Sequence, residues 1–328
     1  MNWKELKNRI DRSNNILLST HKNADGDGLG SELSMYYHLK NLKKNVSIVN
    51  ISSMASRYHF MDPNNVVETY SSDFSASSFD LVIVFDLGDY KRLGELGEEI
   101  LNNNIDVINI DHHVPRDESY YTLSIVNIDA PSTTYMIWKY FEYLNLNTVP
   151  LEDNIAIPLY TGLLNDTGSF RYSAVDSDTH NMASHLLMSN VIPNEIFQHV
   201  YENRTIGKIN LLSKMIENLK FSEDGKVGYA IIDKKIFNES GASIEDTDGL
   251  ADFIRSIKGV EVSFCITSLD STKISFRSRG EYTVNDIAQI FGGGGHHFAA
   301  GVEISESEIN QVVDKILSEL HGKISNGN

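Results

Sequence analysis

Two α/β domains are what this sequence predicts: a larger N-terminal domain on a doubly wound, mainly parallel sheet, and a smaller C-terminal α/β domain, with a cleft between them. Three observations carry that expectation. The continuous apolar run at 81–85 (LVIVF) has the pattern of a strand covered on both faces, as in a parallel sheet. Segments of helical period alternate with such strands, as right-handed βα winding requires. Three strand-like runs end on acids or histidines, which places chemistry at the carboxyl edge of the sheet, where open parallel sheets bind ligands.

At 328 residues the chain is long enough for two cores, and 41% apolar with 22% charged residues is ordinary for a globular protein. The single cysteine, Cys265, excludes a disulfide framework and a thiolate zinc site, and fits a reducing compartment. No apolar run approaches membrane-spanning length, and the first residues (MNWKELKNRIDR) are polar rather than signal-like, so the expectation is a cytoplasmic protein without a membrane partner. A net charge of -17 leaves no composition for the broad basic surface that long nucleic acids need. Any phosphate-bearing substrate should therefore be short and held by a few local cations.

Taken in order, residues 1–12 carry a weak helical period. Ile16, Leu17 and Leu18 read as a buried strand that delivers His21, Asp25 and Asp27 into a loop loosened by Gly26, Gly28 and Gly30. An imidazole and two carboxylates within seven positions form a mixed nitrogen and oxygen ligand set for a first-row metal, although an acidic turn with a helix cap at Asp27 explains that loop equally well. Leu29, Leu33, Tyr36, Tyr37 and Leu39 fit an amphipathic helix to about Lys43, and 46–51 reads as the next strand. Residues 56–78 are polar and carry no clear pattern. The strand at 81–85 ends at Asp86, and that at 105–110 ends at Asp111, His112 and His113. One such end is explained by capping; three chemically matched ends favour a metal site.

Residues 131–134 (PSTT) look like a helix start, with Ser132 as cap, for a helix over 135–144. Its N-terminus could face an anion, with simple capping the plainer role. A helix over 154–164, which Pro158 should kink or restart, leads to Asp166. Residues 179–190 predict another helix and 191–219 a helical connector. Strands are expected at 227–232, 260–267 and 273–279, and helices at 248–257, carrying Arg255, and at 284–290. Four glycines, 292–295, then expose backbone N–H groups against which a phosphate could sit, followed by two histidines and a small-residue helical pattern. A polar tail follows His321. The domain boundaries read as 1–190, 191–220 for the connector, and 221–328.

Together these residues resemble the DHH phosphoesterase superfamily, named for the triplet present here as Asp111-His112-His113. The resemblance covers nearly the whole chain: HKNADGDGLGS at 21–31, FDLGD at 85–89, DHH at 111–113, NDTGSFRY at 165–172, and, in the part similar to the DHH-associated domain, SFRSRG at 275–280 and GGGGHHFAAG at 292–301. Spacing and content fit the bacterial nano-RNase and pAp-phosphatase branch best. The chain departs from that pattern at His297 and Arg279, where Lys or Arg and Lys, respectively, are frequent.

The resemblance implies two Mn²⁺ ions, with Mg²⁺ or Co²⁺ as substitutes. One would be held by His21, Asp25 and Asp86, the second by Asp27, Asp86, His112 and Asp166, with Asp86 bridging. It implies Asp111 as an orienting partner, His113 as a phosphoryl contact or leaving-group acid, and Arg255, Arg277, Arg279, Gly294, Gly295 and His296 as the substrate-binding set. The activity implied is hydrolysis of short oligoribonucleotides (nano-RNA, pApA, pGpG) and of 3′-phosphoadenosine 5′-phosphate (pAp), through a water activated between two metals. A di-AMP phosphodiesterase of the same fold is the alternative within enzymes, and a non-catalytic nucleotide sensor the alternative outside them. The retained ligand set speaks against the sensor. A homodimer is compatible with all of these readings.

Overall fold

The computed structural model describes residues 1–305 and 309–326. The chain divides into two units, Met1–Asn203 and Arg204–Asn328. The first is built from α1 (Trp3–Arg12), β1 (Asn15–Thr20), α2 (Gly26–Asn41), β2 (Asn45–Asn50), β3 (Val67–Thr69), β4 (Leu81–Phe85), α3 (Gly94–Asn102), β5 (Asp106–Asp111), β6 (Leu123–Val126), α4 (Thr133–Tyr143), α5 (Asp153–Asp166), α6 (Ser177–Leu186) and α7 (Pro193–Tyr201). Its six strands are all parallel, in the order β3-β2-β1-β4-β5-β6. From β1 the chain winds outward to β3, and from β4 outward the other way to β6. The order thus reverses between β1 and β4, the switch point at which doubly wound sheets open a crevice beyond their strand ends.

Alternation along the strands builds two cores. Ile16, Leu18, Ile83, Phe85, Ile108 and Ile110 face a layer made by α1, α2, α4 and α5. Leu17, Val82, Val84 and Val107 face the other way, against Leu93, Leu96 and Ile100. That two-sided burial is why the run at 81–85 shows no polar alternation. The helix α2 departs from the simple amphipathic expectation, for Ser31, Glu32 and Ser34 are as buried as its leucines. It is wedged between the sheet and α5, and a Cβ at Gly30 would overlap the Pro158 carbonyl.

Several sequence expectations shift. The stretch 56–78 holds a 3₁₀ turn (Ser56–Met61), the edge strand β3 and a second 3₁₀ turn (Ala76–Ser78). The strand β6 was not expected, because it is four residues long and mostly half-buried, so it lacks an apolar signature. Pro158 does not divide its helix, since α5 runs as one element from Asp153 to Asp166.

The second unit contains α8 (Ile206–Glu217), β7 (Lys220–Phe221), β8 (Val227–Ile232), α9 (Lys234–Ser240), α10 (Leu250–Arg255), β9 (Val262–Ser268), β10 (Thr272–Ser278), α11 (Asn285–Ile290), β11 (Gly294–His296), β12 (Ala299–Ile304) and α12 (Ile309–Asn326). The expected connector is thus two helices, α7 in the first unit and α8 in the second. The sheet order is β11-β12-β10-β9-β8-β7, antiparallel except for β8 with β9. One expectation is corrected here. The residues after the glycine run form a strand, not a helix, and the run itself enters a tight hairpin, with Gly294 opposite Gly301 and Gly295 opposite Ala300. A Cβ at Gly293 or Gly295 would strike the backbone of β12, so these glycines are required first by strand packing. From His321 to Asn326 the chain is helical, as the end of α12.

Close approach of α2 to α5 makes a direct prediction. Gly30→Val should destabilise the protein by about 1–3 kcal/mol through overpacking, read as a lowered urea midpoint at unchanged slope.

Candidate metal centre

Every side chain that lines this centre emerges from a strand end or a helix end at the β1/β4 crevice. His21 follows β1, Asp86 follows β4, Asp111 closes β5 with His112 and His113 after it, Asp25 and Asp27 open α2, and Asp166 closes α5. The loop after β4 must turn abruptly to keep Asp86 at the edge, and Asp86 does so with φ of 57°, a left-handed conformation unusual for a non-glycine residue.

Asp86 is the hub. Its Oδ2 lies 3.6 Å from His21 Nε2. Its Oδ1 lies 3.4 Å from His112 Nε2 and 3.2 Å from His113 Nδ1, and accepts a hydrogen bond from the Thr133 hydroxyl at 3.2 Å. His112 Nε2 also approaches Asp166 Oδ2 at 3.1 Å and Asp27 Oδ2 at 3.7 Å. Among the groups of potential ligand atoms that lie within 4.8 Å of one another, one joins His21, Asp25 and Asp86, and another joins Asp27, Asp86, His112 and Asp166. Asp86 belongs to both.

The chemistry of the donors suits hard divalent cations. His112 turns Nδ1 toward the Ala130 carbonyl (3.0 Å), and His21 turns Nδ1 toward that of Lys22 (2.9 Å). A carbonyl only accepts, so each ring carries a proton on Nδ1 and turns Nε2 to the cluster, the orientation that a metal-ligating imidazole needs. Carboxylates supply the remaining positions, a set that suits Mn²⁺ or Mg²⁺ better than a thiolate-seeking ion. Crowding of like charges strengthens the case. Burial, together with Asp166 and Asp86, pushes Asp25 up to about 6, and the same causes push Asp27 well above the usual carboxylate range. Burial opposes ionisation of Asp86 too, but His113, His112 and His21 outweigh it and hold that carboxyl well below its ordinary value. A pair of cations would satisfy all of these acids at once.

A supporting layer fixes the ligating groups. Asp25, rather than Asp27, caps α2, accepting from the amides of Asp27 (2.9 Å) and Gly28 (3.3 Å). Asp27 instead faces the N-terminus of α4, accepting from Thr133 N (2.6 Å), Thr134 N (2.9 Å) and Thr134 Oγ1 (2.6 Å). That helix start was expected to cap itself, and Ser132 does so. It also faces an anion, the protein's own Asp27. Asp111 accepts from Gly88 N at 2.6 Å and His113 N at 2.9 Å, and its Oδ1 lies 2.8 Å from His113 Nδ1. Burial works against the imidazolium of His113, yet Asp111 and Asp86 raise its pKa to about 10. Tyr58 donates to Asn165 Oδ1 (3.0 Å), and Asn165 donates to Asp166 Oδ1 (3.1 Å), turning the other oxygen toward His112. Sequence reasoning missed Tyr58, Thr133, Thr134 and Asn165 in these roles. Asn165 stands next to Asp166 and was open to detection, whereas Tyr58 lies in the unassigned polar stretch.

In the second unit, Arg277 donates to Asp252 Oδ2 at 2.9 Å, and Arg255 donates to Asp252 Oδ1 at 3.3 Å. The register places Arg277 opposite Ala299, and Ala299 opposite His296, so Arg277 and His296 share a face with only a methyl group between them. Arg279 stands apart. Its guanidinium donates to the carbonyls of Val260 (2.5 Å), Arg255 (2.9 Å) and Ile257 (2.9 Å), closing the end of α10.

The family model for the DHH family, N-terminal domain, matches residues 15–163, and that for the DHHA1 domain matches residues 224–324. The chain carries a DHH N-terminal domain followed by a DHHA1 domain. It is 26% identical over 96% of its length, and 96% of the relative's, to the bifunctional oligoribonuclease and PAP phosphatase NrnA of Bacillus subtilis. It is 27% identical to the Thermus thermophilus protein of the same description, covering 94% of this chain and 90% of that one. Among solved structures, an exopolyphosphatase-related protein from Bacteroides fragilis shares the fold with a TM-score of 0.88 at 23% identity, covering 99% and 97% of the two chains.

The repulsion at Asp25 gives a signed prediction for this DHH protein. A carboxyl raised in the folded state costs stability once pH exceeds its unfolded value, and the full penalty is present above about 6. Asp25→Asn, which keeps the capping acceptor, should stabilise the metal-free protein at pH 8 by about 1–2 kcal/mol. The gain should fall to roughly 0.5 kcal/mol near pH 4, where the acid is protonated when folded but still partly ionised when unfolded, and vanish only below its unfolded pKa of 3.8. Denaturant titrations at the two pH values measure the difference.

Proposed function

We propose that this chain is a metal-dependent phosphoesterase that hydrolyses short oligoribonucleotides and pAp. Asp86, shared by two groups of ligand atoms, is the observation that carries the reading. In this reading His21, Asp25 and Asp86 hold one divalent cation, and Asp27, Asp86, His112 and Asp166 hold the second, both Mn²⁺. Such a pair supplies Lewis acidity at the attacking and leaving oxygens of an in-line displacement, without a protein nucleophile.

The chain's own residues do the rest. Thr133 and the start of α4 hold Asp86 and Asp27 in place through hydrogen bonds. Asp111 holds the His113 ring through Nδ1, and a ring kept protonated in this way can donate a hydrogen bond or a proton to a phosphoryl or leaving oxygen. Arg277, with Arg255 beside it on Asp252, supplies the planar donor fork that suits a phosphate. His296 and the glycine edge at Gly294 and Gly295 complete the recognition surface, and Arg279 positions α10 rather than binding substrate. A few cations on an acidic protein of net charge -17 select a short substrate. Relatives named for oligoribonuclease and PAP phosphatase activity along nearly the whole chain support pAp and nano-RNA over other phosphoesters. A cyclic-di-AMP phosphodiesterase, PdeA of Listeria monocytogenes, is 25% identical, but this chain covers only 48% of it.

A metal-by-substrate panel tests the reading. With Mn²⁺, the protein should release AMP from both pAp and pApA, and Asp86→Ala should lower turnover by about a thousandfold while remaining folded by circular dichroism. Hydrolysis confined to cyclic di-AMP would replace the substrate assignment. Unimpaired turnover by Asp86→Ala would overturn the metal mechanism.

A further inference from the structure

Arg92 has no part in the centre as described so far, yet the fold brings its guanidinium to the same edge. It sits in the 3₁₀ turn Tyr90–Leu93, whose Tyr90 and Leu93 are buried. The Arg92 carbonyl accepts from Lys22 N at 3.0 Å, which stitches this turn to the residue after His21. Its Nη1 donates to the carbonyl of Leu87 at 3.1 Å, directly after Asp86. Arg92 is therefore fixed between the two loops that carry the hub of the cluster.

Its electrostatic surroundings are unusual for an arginine. Burial lowers its pKa, and Asp86, Asp25, Asp111 and Asp89 oppose that through space. Among the described residues, however, none of these carboxylates makes a contact ion pair with it. Asp89, the outermost, is taken by Arg116 (3.3 Å) and the Lys91 amide (3.0 Å). A guanidinium has five N–H donors, and the Leu87 carbonyl uses one. The remaining donors of this half-buried guanidinium form a fork open to an anion.

We propose that Arg92 is a substrate ligand, whose guanidinium binds a phosphoryl oxygen of the phosphate held at the Asp86 cluster. The assignment rests on the phosphoesterase reading for the identity of the substrate. It does not rest on it for the chemistry, which is recognition of a phosphate dianion by a planar donor fork. Holding the Leu87 carbonyl is the competing, purely structural role. Gln can keep that single bond while losing the charge, so Arg92→Gln separates the two.

The experiment is calorimetric titration of the Mn²⁺-loaded protein with AMP, and with adenosine as the phosphate-free control. Arg92→Gln should weaken AMP binding by at least about tenfold, the loss of a charge-assisted hydrogen bond. Mn²⁺ affinity and adenosine binding should stay at wild-type values. Unchanged AMP affinity in the variant would overturn the proposal, as would a wild type that binds AMP no better than adenosine. Loss of Mn²⁺ binding together with AMP binding would overturn it as well, in favour of the loop-holding role. Should Arg92→Gln fail to fold, Arg92→Lys carries the same comparison, since it keeps the charge but not the fork. Hydrolysis of pAp by the wild type is scored in parallel. Its absence, with the AMP preference and its dependence on Arg92 intact, would sink the phosphoesterase reading and leave the Arg92 assignment standing.

Discussion

Repulsion among acids crowded at one sheet edge is the constraint around which the first unit is built. Five aspartates and three histidines meet where β1, β4 and β5 end, and burial removes the water that would otherwise screen them. The protein meets this cost with local partners: three imidazoles around Asp86, the first turn of α4 against Asp27, and the Gly88 and His113 amides on Asp111. Asp25 and Asp27 remain raised even so. An arrangement that stays electrostatically unfavourable after every local compensation is one built for cations, and function here is drawn from fold stability.

Much of that centre was legible in the sequence, because strand ends announce themselves. An apolar run followed at once by Asp or His fixes both where the strand stops and what it presents, and His21, Asp86 and Asp111 to His113 were readable in this way. Asp166 was legible only as a complement to the others, since a carboxylate at a helix end is ordinary by itself. The supporting layer was not legible. Tyr58 reaches Asn165 across 107 positions of sequence, and Thr133 reaches Asp27 across 106, distances over which no local pattern reports.

Glycine was the least transparent signal. The run whose sequence suggests backbone donors for a phosphate is also what the tight approach of β11 to β12 requires, and composition does not separate the two. Strand periodicity failed in the same region, because Ala299, Ala300 and Gly301 are small on both faces and carry no alternation. Arg279 shows the complementary limit. It lies two positions from Arg277 and is chemically identical to it, yet its donors go to the end of α10. The half-turned backbone at Asp86 was equally invisible, since nothing in FDLGD demands a positive φ at its aspartate.

In the proposed function the strand ends of the first unit carry the chemistry and the sheet of the second carries phosphate recognition. That division makes Asp86 the position on which the account stands. Crystals soaked in Mn²⁺ and measured at the manganese absorption edge test it most directly. The account predicts two anomalous peaks about 3.5–4 Å apart, with Asp86 contributing one oxygen to each. A single peak, or two ions that share no ligand at Asp86, would contradict it.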